Sequence, residues 1–545
     1  MVYLPRMIDY QTDRDNFRLE VPEFYNFGFD VIEQRAREGD KTAFISVDRS
    51  GENIRHHSFS DLNRASNRFG NVLRGLGAAR GDFALVVIPR LPAWYEVLIG
   101  CIKTGVVAMP GTILLTAKDM AYRINKARAK LAMVTAEQAP KVDEIRAACP
   151  TLEHLIVIGG AREGWVAYEP ACAAASDSLS REQAGPSRAD ELMLAYFTSG
   201  TTAHPKLVPR DHSYALAHVI TGFYWMDLKE SDVHWTLSDT GWAKAAWGMV
   251  FPPWLLGATN VLYDGDSKFD AETHLRLIGK LGVTTFCAPP TVYRLFAQMD
   301  LSKYDLSSIR HSFSAGEPLN PEVIRVWHKA TGTEVHDGYG QTETVNVVAN
   351  YPGVPIRPGS MGKPVPGLEV RVTDDNGAEM PDGEVGQIAV RLTEPYPPGL
   401  FHGYYEEPET NAKCFRNGWY FTGDTATRDA EGYIWFVGRS DDLISSAGYR
   451  ISPFEVESAL QEHPSVAESA VVGRPDALRG ELVRAYVILA PGYEPSDALK
   501  EEIQNFVKNQ TAPYKYPREI EFREALPKTS SGKIRRNELR AEAKG

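Results

Sequence analysis

Short apolar runs that alternate with helical patterns constrain this chain more than any other feature of it. Phe83-Ala-Leu-Val-Val-Ile88 reads as a strand buried on both faces, and Ala93 to Lys103 as the helix that follows. Leu131–Thr135 and Leu155–Ile158 repeat the strand signal, and Thr284–Ala288 with a helix over Pro290–Met299 repeats the pair. Such alternation predicts a mostly parallel sheet covered by helices. Ligands of these folds sit at loops beyond the carboxyl ends of the strands.

The texture changes after Tyr351. Pro352, Gly353, Pro355, Pro358, Gly359, Gly362, Pro364, Pro366 and Gly367 crowd together, and short strands follow at Leu368–Val372, Gly386–Arg391 and Tyr433–Val437. Asp374–Gly377 and Asp429–Gly432 read as hairpin turns. The stretch 365–437 is therefore expected to be a small β-rich subdomain, with a barrel one arrangement open to it. From Ser440 a compact α+β unit is expected: a helix over Pro453–Glu462, strands at Ala467–Val472 and Val483–Leu489, and a helix over Ser496–Asn509.

With 545 residues, 43% of them hydrophobic and 24% charged, the chain is neither wholly disordered nor collagen-like nor a coiled coil. A net charge of −12 argues against a broad basic nucleic-acid surface. The apolar stretches Phe83–Met109 and Trp247–Tyr263 are broken by charges, prolines and glycine, so no membrane span is expected. Cys101, Cys149, Cys172, Cys287 and Cys414 stand far apart, which fits neither a disulfide framework nor a zinc site. The expected location is cytoplasmic. His212, His218, His234, His311 and His336 make no metal spacing and read as structural.

Four segments carry chemistry. Tyr196-Phe-Thr-Ser-Gly-Thr-Thr-Ala-His-Pro-Lys206 gathers hydroxyls, a glycine and an ammonium, groups that can cradle a polyphosphate; its spacing is not that of a Walker A loop. On composition it reads equally as a flexible Ser/Thr turn. Asp337-Gly-Tyr-Gly-Gln-Thr-Glu-Thr344 offers Glu343 as a hard oxygen ligand for Mg²⁺ and Thr342 as a phosphate donor, or is a plain loop after a strand. Tyr420–Asp424, followed by Gly438–Asp442 and Ser446–Ile451, offers Asp424 to ribose hydroxyls, or is ordinary turn capping. Leu526–Arg536 places Lys533 among small polar residues, or is a solvated basic tail.

Taken in this order, the four segments resemble the adenylate-forming superfamily. Ser238-Asp-Thr-Gly-Trp-Ala-Lys244, Ala315-Gly-Glu-Pro318 and Pro475–Glu481 bring the resemblance closest to the medium-chain acyl-CoA synthetase branch. It covers the chain from about residue 25 to the end. The resemblance implies an α/β fold: a large N-terminal adenylation domain of sheets covered by helices over 1–438, a hinge at 439–442 around Asp441, and a small mobile α+β C-terminal domain over 443–545. It implies an AMP-forming ligase that joins a medium-chain, branched, cyclic or aromatic carboxylic acid to coenzyme A with ATP and Mg²⁺. Loading of a carrier-protein thiol, and a non-catalytic nucleotide- or acyl-binding homologue, are the alternatives. The implied partners are small molecules, and the chain is a monomer or a homodimer.

Residue by residue, the resemblance implies that Thr198, Ser199, Gly200, Thr201, Thr202 and Lys206 wrap the β- and γ-phosphates of ATP. Gly316, Glu317 and Pro318 line the adenine; Asp337, Gly338, Tyr339, Gly340, Gln341 and Thr342 pass along adenine and α-phosphate; Glu343 binds Mg²⁺; Asp424 and Arg439 hold the ribose. Lys533 reaches the α-phosphate and the substrate carboxylate. Ala447, Gly448 and Tyr449 line the pantetheine path, while Arg450 and Arg479 face phosphates of coenzyme A. Acetate-using relatives carry Trp where this chain has Gly340, so a larger acyl space is expected, with Trp242 on its wall. Ala203 stands where the family carries Gly, and Ala203→Gly is expected to leave activity equal or better.

Overall fold

The computed structural model describes residues 5–198, 205–265, 269–316, 321–440, 442–447, 449–476, 478–528 and 534–544. These divide into two compact units, one of 1–198, 205–369 and 392–412, the other of 370–391 and 413–545. The boundary between the units falls ahead of the expected hinge at 439–442.

The first unit is built on two large sheets. One orders its seven strands Val166–Ala167, His154–Ile158, Leu131–Thr135, Phe83–Val87, Val107–Pro110, Leu192–Thr198 and Lys206–Asp211, all parallel except the last pair. Phe83–Val87 and Leu131–Thr135 are buried at every position, which is why they read as unbroken apolar runs rather than as alternation. The second sheet has nine strands. Thr285–Cys287, His311–Ala315 and Val335–Gly340 lie side by side and parallel in it, and Asn346–Ala349 returns antiparallel beside the last of them. Helices cover both sheets. Phe59–Gly75 is started by a reciprocal capping box between Ser58 and Asp61, and Pro92–Thr104 starts with proline and stops at Gly105 in the left-handed conformation.

The second unit holds an antiparallel sheet of Val370–Thr373, Gly386–Arg391, Phe415–Arg416, Trp419–Arg428 and Ile434–Arg439. Among the described residues this sheet is open: Val370–Thr373 pairs with Gly386–Arg391 and Ile434–Arg439 with Trp419–Arg428. The barrel allowed by the turn spacing is not formed. Nor does the β-rich part run unbroken through 365–437, because 392–412 belongs to the first unit. Its backbone is tied there, with Phe401 N–H donating to the Glu343 carbonyl and Tyr405 N–H to the Leu207 carbonyl. The α+β part follows the expected order, with helices Pro453–Gln461 and Asp497–Gln510 packed on the strand pair Val466–Asp476 and Gly480–Leu489.

Candidate active site

In the first unit the chain leaves one strand at Thr198 and enters the next at Lys206. The two residues are register partners, with Thr198 Oγ1 3.5 Å from the Lys206 carbonyl oxygen. Two ends of the expected phosphate segment are thus fixed. Gly316 follows strand His311–Ala315 directly and takes φ +110, a conformation that favours glycine. Alongside, strand Val335–Gly340 carries Asp337, Gly338, Tyr339 and Gly340, with Ala315 and Gly338 paired. Gln341, Thr342, Glu343 and Thr344 turn the chain back, with the Gln341 N–H donating to Thr344 Oγ1 at 3.0 Å. Gly316 and Gly338–Gly340 therefore lie at the carboxyl ends of adjacent parallel strands, where this architecture places ligands, while Thr198 and Lys206 belong to the other sheet.

Glu343 is buried and held on several sides. Tyr404 Oη donates to Glu343 Oε1 at 2.7 Å. The Glu343 carbonyl accepts from Arg210 Nη1 at 2.8 Å and from Phe401 N–H at 2.9 Å. Arg210 is itself buried, donates also to the Gly399 carbonyl, and lies 3.9 Å above the Tyr214 ring. Among the described residues no group of three His, Cys, Asp or Glu is arranged to hold a metal ion. A single recessed carboxylate beside Thr342 fits Mg²⁺ that arrives on ATP phosphates. That ion demands oxygen ligands and keeps water and substrate phosphates around one or two protein carboxylates.

Asp337 is recessed, and desolvation pushes its carboxyl up to about 8, against the lowering effect of the Gly338 N–H and of Lys244. Lys244 Nζ donates to the Ala315 carbonyl at 3.1 Å. The same lysine lines a very small cavity, about 10 Å³ and so room for about one water, with Trp225, Met226, Thr236, Trp247, Gly248, Cys287 and Ala315. Burial pushes the Cys287 thiol up, so this cysteine is an inert wall.

Two glycines of the nucleotide strand let the indoles of this cavity close in. A Cβ on Gly338 would lie 2.5 Å from Trp225 Cε2, and one on Gly340 would run into the Trp247 ring and sit 2.5 Å from the Val345 carbonyl oxygen. Trp247 packs against Gly340, in the volume a side chain at that position would take. Trp242, expected on the wall, is half-buried ahead of the short helix Ala243–Ala245 and does not line this cavity. Trp225 and Trp247 do. Sequence reading missed them, along with Thr236, Cys287, Tyr404 and Arg210; the only available signal was their aromatic or polar character inside apolar stretches.

In the second unit Asp424 and Arg439 face each other across antiparallel strands, carboxylate and guanidinium 4.0 Å apart. Ala447 adopts φ +52, and its N–H donates to the Arg479 carbonyl at 2.8 Å. Two residues expected along the coenzyme path are thus neighbours. Tyr449 is half exposed, its ring stacked 4.1 Å from that of Tyr514. Arg450 lies in strand Tyr449–Ile451. Ser199, Gly200, Thr201, Thr202, Ala203, Glu317, Pro318, Asp441, Gly448 and Lys533 lie outside the described residues.

A family model described as AMP-binding enzyme matches residues 31–405, and one described as AMP-binding enzyme C-terminal domain matches 455–533. The chain belongs to the AMP-binding enzyme family. Within this family it is 46% identical over 543 residues to acyl-coenzyme A synthetase ACSM3, mitochondrial, of Mus musculus, covering 98% of this chain and 93% of that protein. It is 45% identical over 532 residues to acyl-coenzyme A synthetase ACSM4, mitochondrial, of Homo sapiens, covering 95% and 91%. Among solved AMP-binding relatives, the anthranilate CoA ligase AuaEII in complex with anthranoyl-AMP superposes with a TM-score of 0.87 at 35% identity, over 96% of this chain and 98% of that one. A benzoate CoA ligase from Burkholderia xenovorans LB400 gives 0.82 at 28%, over 95% and 100%. The cytoplasmic expectation is overturned by these relatives, whose names place them in mitochondria. The expectation rests on scattered cysteines that fit no disulfide framework, a property common to reducing compartments that does not separate the two.

Proposed function

We propose that this chain is an AMP-forming carboxylic acid–CoA ligase that prefers a compact acyl group, aromatic or branched. The likeness to an anthranilate CoA ligase and a benzoate CoA ligase supports the preference. Trp225 and Trp247, which line the small cavity beside strand Val335–Gly340, would offer indole faces to a ring or a branched chain.

Two steps make up the reaction. The substrate carboxylate, ionised at neutral pH, attacks the α-phosphorus of ATP; an acyl–oxygen–phosphorus bond forms and pyrophosphate leaves with Mg²⁺. Anion meets polyanion, so positioning and charge neutralisation supply the catalysis. Lys206 and Thr198 hold the outer phosphates, Glu343 the Mg²⁺ that travels with them, and Asp424 and Arg439 the ribose. Lys533 offsets the charge that develops between the reactants. The thiol of coenzyme A, ionised to a few per cent at neutral pH, gives its proton to solvent and attacks the acyl carbonyl, forming the thioester and releasing AMP. For that step the C-terminal domain turns about Asp441, withdrawing Lys533 and bringing Ala447, Gly448 and Tyr449 to the acyl group. Gly448 leaves room for the pantetheine arm, and Arg450 and Arg479 face its phosphates.

Pyrophosphate release with ATP and Mg²⁺, across acids from acetate to octanoate plus isobutyrate, cyclohexanecarboxylate, benzoate and anthranilate, with and without CoA, tests the reading. CoA-dependent turnover that peaks at the branched and cyclic acids is expected. A peak at octanoate would sink the compact-acyl preference, and turnover only with a carrier protein would sink the CoA assignment.

A further inference from the structure

Tyr404 stands between the two halves of the ATP phosphate machinery. Its hydroxyl donates to Glu343 Oε1 at 2.7 Å, and the ammonium of Lys206 lies 5.0 Å from the centre of its ring. The residue is fixed in place. Its N–H donates to Asn411 Oδ1 at 2.7 Å, and its carbonyl accepts from Asn411 Nδ2 at 2.9 Å. On one side Phe401 N–H reaches the Glu343 carbonyl, and on the other Tyr405 N–H reaches the Leu207 carbonyl, next to Lys206. The segment from Phe401 to Tyr405 thus joins the strand that begins at Lys206 to the turn that carries Glu343.

We propose that Tyr404 is a positioning residue for MgATP. Its hydroxyl aims the Glu343 carboxylate at Mg²⁺, and its ring is the shelf on which Lys206 waits for the outer phosphates. The inference rests on the functional reading above and deepens it. A phenol that donates to one carboxylate oxygen fixes the carboxylate's rotation and leaves its other oxygen's direction defined. Outer partners of this kind typically change metal affinity by about 10–100-fold when removed. An ammonium over an aromatic face is attracted by the ring quadrupole, and the attraction strengthens where water is excluded. The two functions separate by chemistry, since the hydroxyl serves Glu343 and the ring serves Lys206.

Two variants separate them by experiment. Tyr404→Phe keeps the ring and loses the hydroxyl; Tyr404→Leu loses both. ATP binding is measured by calorimetry with Mg²⁺ and with EDTA, and acid-dependent pyrophosphate–ATP exchange is measured against Mg²⁺ concentration. For Tyr404→Phe the Mg²⁺ concentration at half-maximal exchange is expected to rise roughly tenfold. Excess Mg²⁺ should restore the rate, ATP binding in EDTA should stay unchanged, and conversion of supplied acyl-adenylate to acyl-CoA should stay at the parent rate. For Tyr404→Leu, ATP binding in EDTA should weaken as well.

A Tyr404→Phe enzyme that melts lower but keeps the parent Mg²⁺ profile would overturn the proposal by showing a purely structural role. Equal loss of both half-reactions would overturn it as well. Absence of acid-dependent exchange in the parent enzyme would instead overturn the functional reading on which the proposal rests.

Discussion

The Trp247 ring occupies the volume that any side chain at position 340 would need, with the Val345 carbonyl oxygen closing the other side. Gly340→Ala therefore inserts a methyl group where nothing can yield easily, an overpacking that costs about 1–3 kcal/mol. The expected outcome is a lower melting temperature and a uniform fall in kcat/KM across acids, with the preference order intact. Trp247→Ala does the opposite: it vacates the wall and moves the optimum toward longer acids. One acid panel measured on both variants checks the pair. A change of preference in Gly340→Ala would count against this account of the wall.

Asp424 and Arg439 are held opposite each other by strand register. If the Asp424 carboxylate accepts from ribose hydroxyls, Asp424→Ala removes hydrogen bonds to a charged group, worth about 1.5–3 kcal/mol. The KM for ATP should rise roughly 10- to 100-fold, while the KM for CoA holds. Steady-state kinetics with each substrate varied in turn checks this, and an unchanged KM for ATP would remove Asp424 from the nucleotide site.

Asp337 gives a pH signature. Its folded pKa, pushed up to about 8, lies above the value near 3.8 that the unfolded chain carries. The folded state therefore holds the proton more tightly. The stabilisation is fully present below about pH 4 and is lost as pH rises toward 8. Asp337→Asn lacks this loss, so its stability relative to the parent should grow steadily from pH 5 to pH 8. Urea midpoints at several pH values measure the difference; parallel profiles would mean that the carboxyl is already ionised at pH 5.

In the second unit the buried Glu457 accepts from Arg536 Nη2 at 2.6 Å and from the Val471 N–H at 2.7 Å. Burial raises its pKa, and Arg536 lowers it. Arg536→Met strands the carboxylate, a change that costs about 3–5 kcal/mol where the carboxylate is ionised. With its main counter-charge gone, Glu457 holds its proton to higher pH in the folded state. The deficit should therefore be smaller at pH 5 than at pH 8. Chemical unfolding at both pH values measures it, and Glu457→Leu with Arg536→Met should recover most of the loss.

The parallel sheets were legible because strands such as Phe83–Val87 and Leu131–Thr135 are buried on both faces and leave an unbroken apolar trace. The candidate nucleotide segments stand out in the sequence because hydroxyls, glycines and charges cluster locally in them. What was not legible depends on residues that meet only after folding. The cavity wall draws on Trp225, Lys244, Trp247 and Cys287 from separate elements, with no spacing that announces them. Tyr404 reaches Glu343 from 61 positions away. Whether short antiparallel strands close into a barrel is likewise a matter of long-range pairing, and turn signals such as Asp374–Gly377 report only their own two strands.

Strand Val335–Gly340 has one more consequence. The residues assigned to the nucleotide and the glycines that receive Trp225 and Trp247 belong to the same six-residue strand. With no side chain between backbone and indole, a shift of this strand on one side is felt directly on the other. On the proposed assignments acid and ATP are expected to be thermodynamically linked, each tightening the other's binding by the same factor, as reciprocity requires. An acid whose acyl group fits the indoles poorly would show its fault first as a weakened grip on ATP, before any bond has been made.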